Sequence, residues 1–218
     1  MSPLRWTLVV PLKPLARAKS RLADATGALR PELAMAFAQD TVAAALACPS
    51  VARVLVVSDD AAAGAALRVL GAEVLPDLPR AGLNAALAHG AEAARDRFGA
   101  GRVAALSADL PALRPEELDR VLRAAGGQRR AFLADAQGVG TTLLAAAAGV
   151  PLAPGFEGGS RQRHARSGAH ELTLPDVPSV RRDVDTLDDL REALALGTGP
   201  RTAALAALVS LGGPPGTP

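Results

Sequence analysis

The stretch WTLVVPLKPLARAKSRL, residues 6–22, decides the fold class. Its first part, Trp6 to Leu12, is a continuous apolar run of the kind found in strands that are buried on both faces of a parallel sheet. The second part carries four cations, Lys13, Arg17, Lys19 and Arg21. A basic loop directly after such a strand lies at the carboxyl edge of the sheet, where open α/β sheets bind their ligands.

Strand and helix patterns alternate along the rest of the chain. Further strands are predicted at 51–58, 73–75, 102–107, 132–135 and 141–147, with short extended pieces at 171–174 and 180–184. Helices are predicted at 31–47, 60–70, 82–98, 115–125, 160–167, 186–196 and 200–211. This order predicts a single α/β domain with a mostly parallel sheet and helices on both faces. The domain is expected to span residues 1–202, and 203–218 to be a partly disordered extension.

Composition excludes several classes of protein. The chain has 218 residues, 49% of them hydrophobic, so it can bury a sizeable core. One cysteine excludes an internal disulfide, and no apolar run is long enough to cross a membrane. The net charge is +2, but only 2% of residues are aromatic, which argues against a nucleic-acid partner. We therefore expect a cytoplasmic protein that binds a small anion, with a homodimer among the open options.

Three carboxylates stand where a metal-bound nucleotide would need them. Asp109 follows a buried strand in SADLPAL, and Asp183 and Asp185 lie on one face of the extended segment RRDVDT. Together they could hold two Mg²⁺ ions that also bind substrate phosphates. In the alternative interpretation, Asp109 is a turn residue, Asp185 caps the next helix and Asp183 pairs with Arg181 or Arg182. The basic loop opposite could hold a triphosphate, although it contains no Walker motif.

Residues 138–167 form a third group. Thr141 follows a glycine-bracketed turn, and Ser160 stands at a predicted helix start, where backbone N–H groups bind anions. Ser160 could equally be a simple N-cap. The basic residues Arg161, Arg163 and Arg166, with His164, follow on the same helix. Asn84, at the start of the 82–98 helix, could read a base or ribose, or merely begin that helix.

These motifs, taken in order along residues 6 to about 202, resemble the guanylyltransferases of coenzyme F-420 biosynthesis. The segments that carry the resemblance are PLKPLARAKSRL, SADLPAL, ADAQGVGTTLL, FEGGSRQRHARSGA and RRDVDTLDDL. The resemblance implies a nucleotide-diphospho-sugar transferase type of fold. It also implies transfer of the guanylyl group of GTP to phosphoenolpyruvate, giving enolpyruvyl-diphospho-guanosine and pyrophosphate, with 2-phospho-L-lactate as the alternative acceptor. It also implies that Asp109, Asp183 and Asp185 bind the metal and that Lys13 and Lys19 contact the triphosphate.

The resemblance further implies that Thr141, Glu157 and Ser160 contact the acceptor. The family usually has Gly where this chain has Glu157, so that a backbone contact, or one shifted to Gly158, is expected there. Two competing hypotheses remain. One is another nucleotidyltransferase of the same fold that uses CTP or a sugar phosphate, and the other is a regulatory protein that binds GTP without catalysis. The choice among phosphoenolpyruvate, 2-phospho-L-lactate and 3-phosphoglycerate stays open.

Overall fold

A computed structural model describes residues 5–15, 19, 22, 26–99 and 101–209. In these ranges the strands are β1 (Trp6–Pro11), β2 (Val51–Val57), β3 (Glu73–Leu75), β4 (Arg102–Leu106), β5 (Arg130–Ala134), β6 (Thr141–Ala146) and β7 (His170–Glu171). The helices are α1 (Arg30–Ala47), α2 (Ala61–Val69), α3 (Leu83–Phe98), α4 (Pro115–Ala125), α5 (Ser160–Arg166), α6 (Pro178–Arg181), α7 (Leu187–Leu196) and α8 (Pro200–Ala206). None of the helices in these ranges is both long and apolar enough to span a bilayer.

The seven strands form one sheet in the order β3-β2-β1-β4-β6-β5-β7. Strand β6 is antiparallel to both of its neighbours, β4 and β5, and all other pairs are parallel. The predicted mostly parallel α/β sheet is therefore confirmed. Because β6 runs in the opposite direction, its first residue, Thr141, lies at the edge where β1 to β5 end.

Both faces of the sheet are covered. Leu8 and Val10 of β1 pack into one apolar cluster with residues of α1, α2 and α4, whereas Val9 packs into a second cluster with α3. Neighbouring strand residues point to opposite faces, so this division is the one that alternation requires. A third cluster joins α1 to the C-terminal helices through Phe37, Leu190 and Val209.

The C-terminal part of the chain differs from the prediction in two places. Residues 178–181, of which 180–181 were expected to be extended, form α6, because the Glu117 carboxylate of α4 accepts hydrogen bonds from the N–H and hydroxyl groups of Ser179. The predicted domain boundary at residue 202 falls inside α8, whose N-terminal turn is held by the buried Asp40 through the Thr202 N–H at 2.8 Å. Packing continues to Val209.

Candidate active site

A cavity of about 700 Å³ opens at the carboxyl edge of the sheet. Its walls come from the segments that follow β1, β4 and β5, from the start of β6, and from residues after α6. The predicted site residues that line it are Lys13, Lys19, Asp109, Thr141, Glu157, Ser160, Asp183 and Asp185. Segments far apart in sequence meet here because parallel strands end at one edge.

The Lys19 ammonium lies between two of the predicted metal ligands. Its Nζ donates a hydrogen bond to Asp109 and another to Asp185, the latter at 2.8 Å. The Lys19 side chain is only 11% exposed. Burial lowers the pKa of Lys19, but the Asp109 and Asp185 carboxylates outweigh it and hold that pKa above its ordinary value. Lys19 therefore stays charged and balances part of the negative charge of this wall.

Asp183 and Asp185 flank Val184 in sequence. Both aspartates line the cavity, whereas Val184 is buried in the core. The Val184 N–H donates to the Asp109 backbone oxygen at 3.1 Å, which holds this segment beside the loop after β4. Burial, and then the negative charges of Asp109, Asp185 and Asp135, raise the pKa of Asp183 to about 7, against the opposing effect of Lys19. The one-residue spacing thus places both carboxylates on one side, as predicted.

For Asp183 and Asp185 the alternative interpretation is wrong. Helix α7 is capped by a Thr186 and Asp189 capping box, so Asp185 is not its cap. The Arg182 guanidinium pairs with Asp189 and Glu192, and Arg181 donates to the Ala134 carbonyl, so neither arginine neutralises Asp183.

The carboxylates fit a divalent cation by their chemistry, because hard oxygen ligands of this kind are those that Mg²⁺ takes. Within the described ranges, however, no three acidic, histidine or cysteine side chains converge closely enough to enclose one ion. Lys19 lies between two of the three candidates instead. The predicted metal ligands therefore face one cavity with an incompletely balanced negative charge, and their role as ligands stays a prediction.

The loop after β1 is anchored by a residue that sequence analysis missed. The Asp60 carboxylate accepts the Leu15 N–H at 3.1 Å and also caps α2 through the Ala63 N–H at 3.0 Å. These two backbone hydrogen bonds, Ala63 first, lower the pKa of Asp60. An aspartate just before an alanine-rich helix is a recognisable N-cap signal, but its second partner is not readable from sequence. Arg17 and Arg21 lie outside the described residues.

Lys13 reaches across the cavity mouth to the opposite wall. Its Nζ lies 3.1 Å from Glu157 Oε1, and both side chains are more than half exposed. Glu157 has a φ of +75°, in the left-handed region that favours glycine. This conformation gives a physical reason for the glycine that the resemblance leads us to expect at this position, and residues 157 and 158 both line the cavity.

Thr141 and Ser160 are buried in the wall opposite the basic loop. The Thr141 hydroxyl lies 3.0 Å from Nδ1 of His164, one helical turn after Ser160. Ser160 is the first residue of α5, and the N-cap is Gly159, so the N-cap interpretation of Ser160 is wrong. Asp135, also missed, shapes the turn before Thr141 by accepting the N–H groups of Val139 and Gly140 at 2.9 and 2.7 Å.

Three polar residues near the cavity have other partners. The Asn84 amide binds the backbone of Phe156 in both directions, accepting its N–H at 2.7 Å and donating to its carbonyl at 3.2 Å. Asn84 thus supports the 155–160 loop, and its predicted contact with a nucleotide stays a prediction. Arg161 and Arg163 donate to the carbonyls of Gly138 and Gly155, so their guanidinium groups brace loops and do not line the cavity.

Comparison with known proteins gives the family. The family model described as guanylyl transferase CofC like matches residues 6–211. The chain belongs to this family. A protein of Streptomyces coelicolor named phosphoenolpyruvate guanylyltransferase is 64% identical to this family member over 96% of the chain and 100% of the relative.

A protein of the same name from Thermomonospora curvata is 63% identical to this family member over 94% of the chain and 90% of the relative. A solved structure described as a nucleotide-diphospho-sugar transferase of Desulfovibrio desulfuricans G20 superposes with a TM-score of 0.70 at 19% identity, covering 94% of this chain and 96% of the other. That likeness supports the predicted type of fold. This member of the guanylyl transferase CofC like family is a nucleotidyltransferase.

Proposed function

We propose that the protein transfers the guanylyl group of GTP to phosphoenolpyruvate, giving enolpyruvyl-diphospho-guanosine and pyrophosphate in coenzyme F-420 biosynthesis. The observation that carries this proposal is the identity of 63–64% to the two phosphoenolpyruvate guanylyltransferases, which extends over nearly the full length of both chains. The cavity, which brings Lys13 and Lys19 together with Asp109, Asp183 and Asp185, supports it.

The chemistry requires no side-chain nucleophile. The phosphate of the acceptor has a second pKa near ~6 and is mostly a dianion at neutral pH. One of its oxygens attacks the α-phosphorus of GTP, forming a new P–O bond, while the bond from that phosphorus to the β-bridging oxygen breaks. Pyrophosphate leaves with the electron pair. The protein must therefore bring two anions together and offset their repulsion.

In this proposal Asp109, Asp183 and Asp185 hold Mg²⁺, with two ions as the expected number. Bound Mg²⁺ would neutralise phosphate charge and order the reacting oxygens. Lys13 and Lys19 contact the triphosphate, with Arg17 and Arg21 as further contacts from the same loop. Both lysines already line the cavity, and each faces a carboxylate that a phosphate oxygen could replace.

The opposite wall receives the acceptor. Thr141 and Ser160 are buried polar residues that line the cavity without a charge of their own. We assign them, with the backbone at Glu157 and Gly158, to the phosphorylated acid. Donors of this kind are suited to a carboxylate or phosphate oxygen. The Arg161 and Arg163 guanidinium groups take no part, because they bind loop carbonyls.

The direct test is pyrophosphate release with Mg²⁺ and GTP, comparing phosphoenolpyruvate, 2-phospho-L-lactate and 3-phosphoglycerate as acceptors. CTP replaces GTP in a parallel set. Release with GTP and phosphoenolpyruvate supports the proposal, and release with another acceptor or with CTP reassigns the substrate. GTP binding without pyrophosphate release, whichever acceptor is added, would favour the regulatory hypothesis.

The matched variants are Asp109→Ala and Asp188→Ala. Asp109 lines the cavity, whereas Asp188 is exposed on α7 and pairs with Arg191. We expect Asp109→Ala to lose turnover by at least about 100-fold while it keeps the wild-type fold, and Asp188→Ala to keep full turnover. An active Asp109→Ala enzyme would overturn the assignment of the metal ligands.

A further inference from the structure

His164 is a fully buried imidazole for which the proposed reaction has no use. It lies on α5, 1% exposed, and its ring packs against Phe132 and Phe156 at centroid distances of 5.7 and 5.1 Å. Both ring nitrogens have polar partners. Nε2 lies 2.9 Å from the Gly155 backbone nitrogen, and Nδ1 lies 3.0 Å from the Thr141 hydroxyl oxygen.

These two partners determine the tautomer. A backbone N–H can only donate, so Nε2 of His164 must be the unprotonated nitrogen that accepts from Gly155. In a neutral imidazole the proton is then on Nδ1, which donates to the Thr141 oxygen. The backbone of one loop therefore decides the direction of a hydrogen bond on the other side of the ring.

The Thr141 hydroxyl is left with its own hydrogen to donate. Its oxygen already accepts from His164, and within the described part of the chain the hydroxyl makes no other hydrogen bond. Thr141 is one of the residues that line the cavity, so this unused donor is next to the space assigned to the acceptor. An anionic oxygen, of a carboxylate or a phosphate, is the partner that such a hydroxyl lacks.

We propose that His164 is a positioning residue that fixes the Thr141 hydroxyl as a hydrogen-bond donor toward the acidic group of the acceptor. This inference rests on the proposed function, because it assigns Thr141 to the acceptor of that reaction. His164 does not touch the substrate itself. It acts by holding one proton on Nδ1 and by linking β6, the 155–160 loop and α5 around one ring.

The surroundings of His164 keep the imidazole neutral. Burial, and then the positive charges of Arg130 on β5 and Arg163 on α5, lower the pKa of His164 to about 4. Protonation would place a hydrogen on Nε2, opposite the Gly155 N–H, and would break the hydrogen bond there. At neutral pH the arrangement is therefore permanent, and it is not a pH switch.

Two variants separate the two sides of the ring. In His164→Asn the side-chain amide can take the place of Nδ1 and still donate to Thr141, whereas His164→Gln places its amide near Nε2 and keeps only the Gly155 link. We expect His164→Gln to raise KM for the acceptor by about tenfold or more with little change in KM for GTP. His164→Asn should keep KM for the acceptor nearer the wild-type value.

Thr141 variants supply the coupling test. Thr141→Val removes the hydroxyl, and Thr141→Ser retains it. In the Thr141→Val background, His164→Gln should cause no further rise in KM for the acceptor, because the donor it would misdirect is already gone. Equal and additive effects of His164→Gln in both backgrounds, or effects on both substrates alike, would show a merely structural role and overturn the proposal.

A measurement that leaves His164 and Thr141 unchanged covers the case in which their variants fail to fold. In ¹⁵N-histidine-labelled protein at neutral pH, His164 should give the signals of a neutral ring protonated at Nδ1. The signals of His89 and His170 are removed with His89→Gln and His170→Gln. A ring protonated at Nε2, or a charged ring, would overturn the proposal. If wild-type enzyme used no phosphorylated acid at all, the proposed function would fail even with the Nδ1 tautomer confirmed.

Discussion

At the scale of single residues, the chain supplies its own cation to the acidic wall of the cavity. Lys13 and Lys19 are the two lysines of the sequence, and their surroundings differ. Lys13 forms one exposed ion pair, which is worth little in water. Lys19 is nearly buried between two carboxylates, so removing it leaves the partly buried Asp109 and the half-exposed Asp185 without this partner.

We therefore expect Lys19→Met to lower the free energy of unfolding of the metal-free protein by about 1–2 kcal/mol, a figure reduced for the partial exposure of Asp185. Lys13→Met is the matched control and should change it by less than about 0.5 kcal/mol. Urea unfolding with and without MgCl₂ measures both. If the proposed metal ligands are correct, added Mg²⁺ narrows the gap between Lys19→Met and wild type.

The buried imidazole predicts a pH dependence of stability. The pKa of His164 in the folded protein is about 4, below its ordinary value of 6.5, so the unfolded chain takes up a proton first as the pH falls. The contribution of His164 to stability is therefore complete above pH 6.5 and is lost toward pH 4, by at most about 3 kcal/mol. Unfolding of wild type and His164→Asn across this range should show a steeper loss for wild type. Parallel curves would contradict this prediction.

At the scale of elements, α3 approaches the sheet at a glycine. A Cβ atom at Gly90 would lie 2.5 Å from Val9 Cγ1 and 2.8 Å from Val57 Cγ2, both in the packed interior. Alanine favours helices over glycine by about 1 kcal/mol, but overpacking a dense core costs about 1–3 kcal/mol. The steric effect should win because both contacts are to strands that cannot shift independently.

We expect Gly90→Ala to lower the midpoint of thermal unfolding. Gly64→Ala is the control, since Gly64 is also in a helix but its added Cβ would meet Val74 at 3.2 Å, which a small adjustment relieves. Calorimetry on both variants decides the point. Equal midpoints for Gly90→Ala and wild type would show that α3 has more freedom than the packing indicates.

The elements also show what sequence analysis can predict. Long apolar strands and alanine-rich helices identify themselves by periodicity, and the common edge follows from parallel connectivity, so that most predicted site residues do meet in one cavity. Contacts made by distant side chains do not appear in a pattern. Glu117 caps α6 from another helix, and Asn84 binds the backbone of Phe156. Neither partner could be found from local sequence alone.

At the scale of the whole molecule, the C-terminal helix belongs to the folded unit. Asp40 of α1 receives the N-terminal turn of α8, and Gly199 approaches Asp40 so closely that no Cβ fits between them. Ala206 and Val209 are buried beyond the predicted boundary at residue 202. A chain that ends at residue 202 should therefore lose the packing of Ala206 and Val209 and leave the turn at Asp40 without the rest of its helix.

We expect the chain ending at residue 202 to unfold at a clearly lower urea concentration than the chain ending at residue 209. The comparison isolates α8 and the turn after it. Asp40→Ala in the full chain should lose about 1–2 kcal/mol, as removal of a helix cap does. Equal stability of the two truncated chains would show that the domain does end near residue 202. Size-exclusion chromatography of the full chain tests whether it forms the homodimer that the sequence leaves open.

The reversal of β6 has a consequence for how this protein could change. It lets one contiguous stretch, residues 135–160, build the wall assigned to the acceptor, while the loop after β1 and the segment after β4 build the wall assigned to the nucleotide. A new acceptor preference could therefore arise by replacing residues 135–160 alone, while the nucleotide-facing segments stay unchanged. In chimaeras of relatives that use different acceptors, acceptor selectivity would follow the source of this segment.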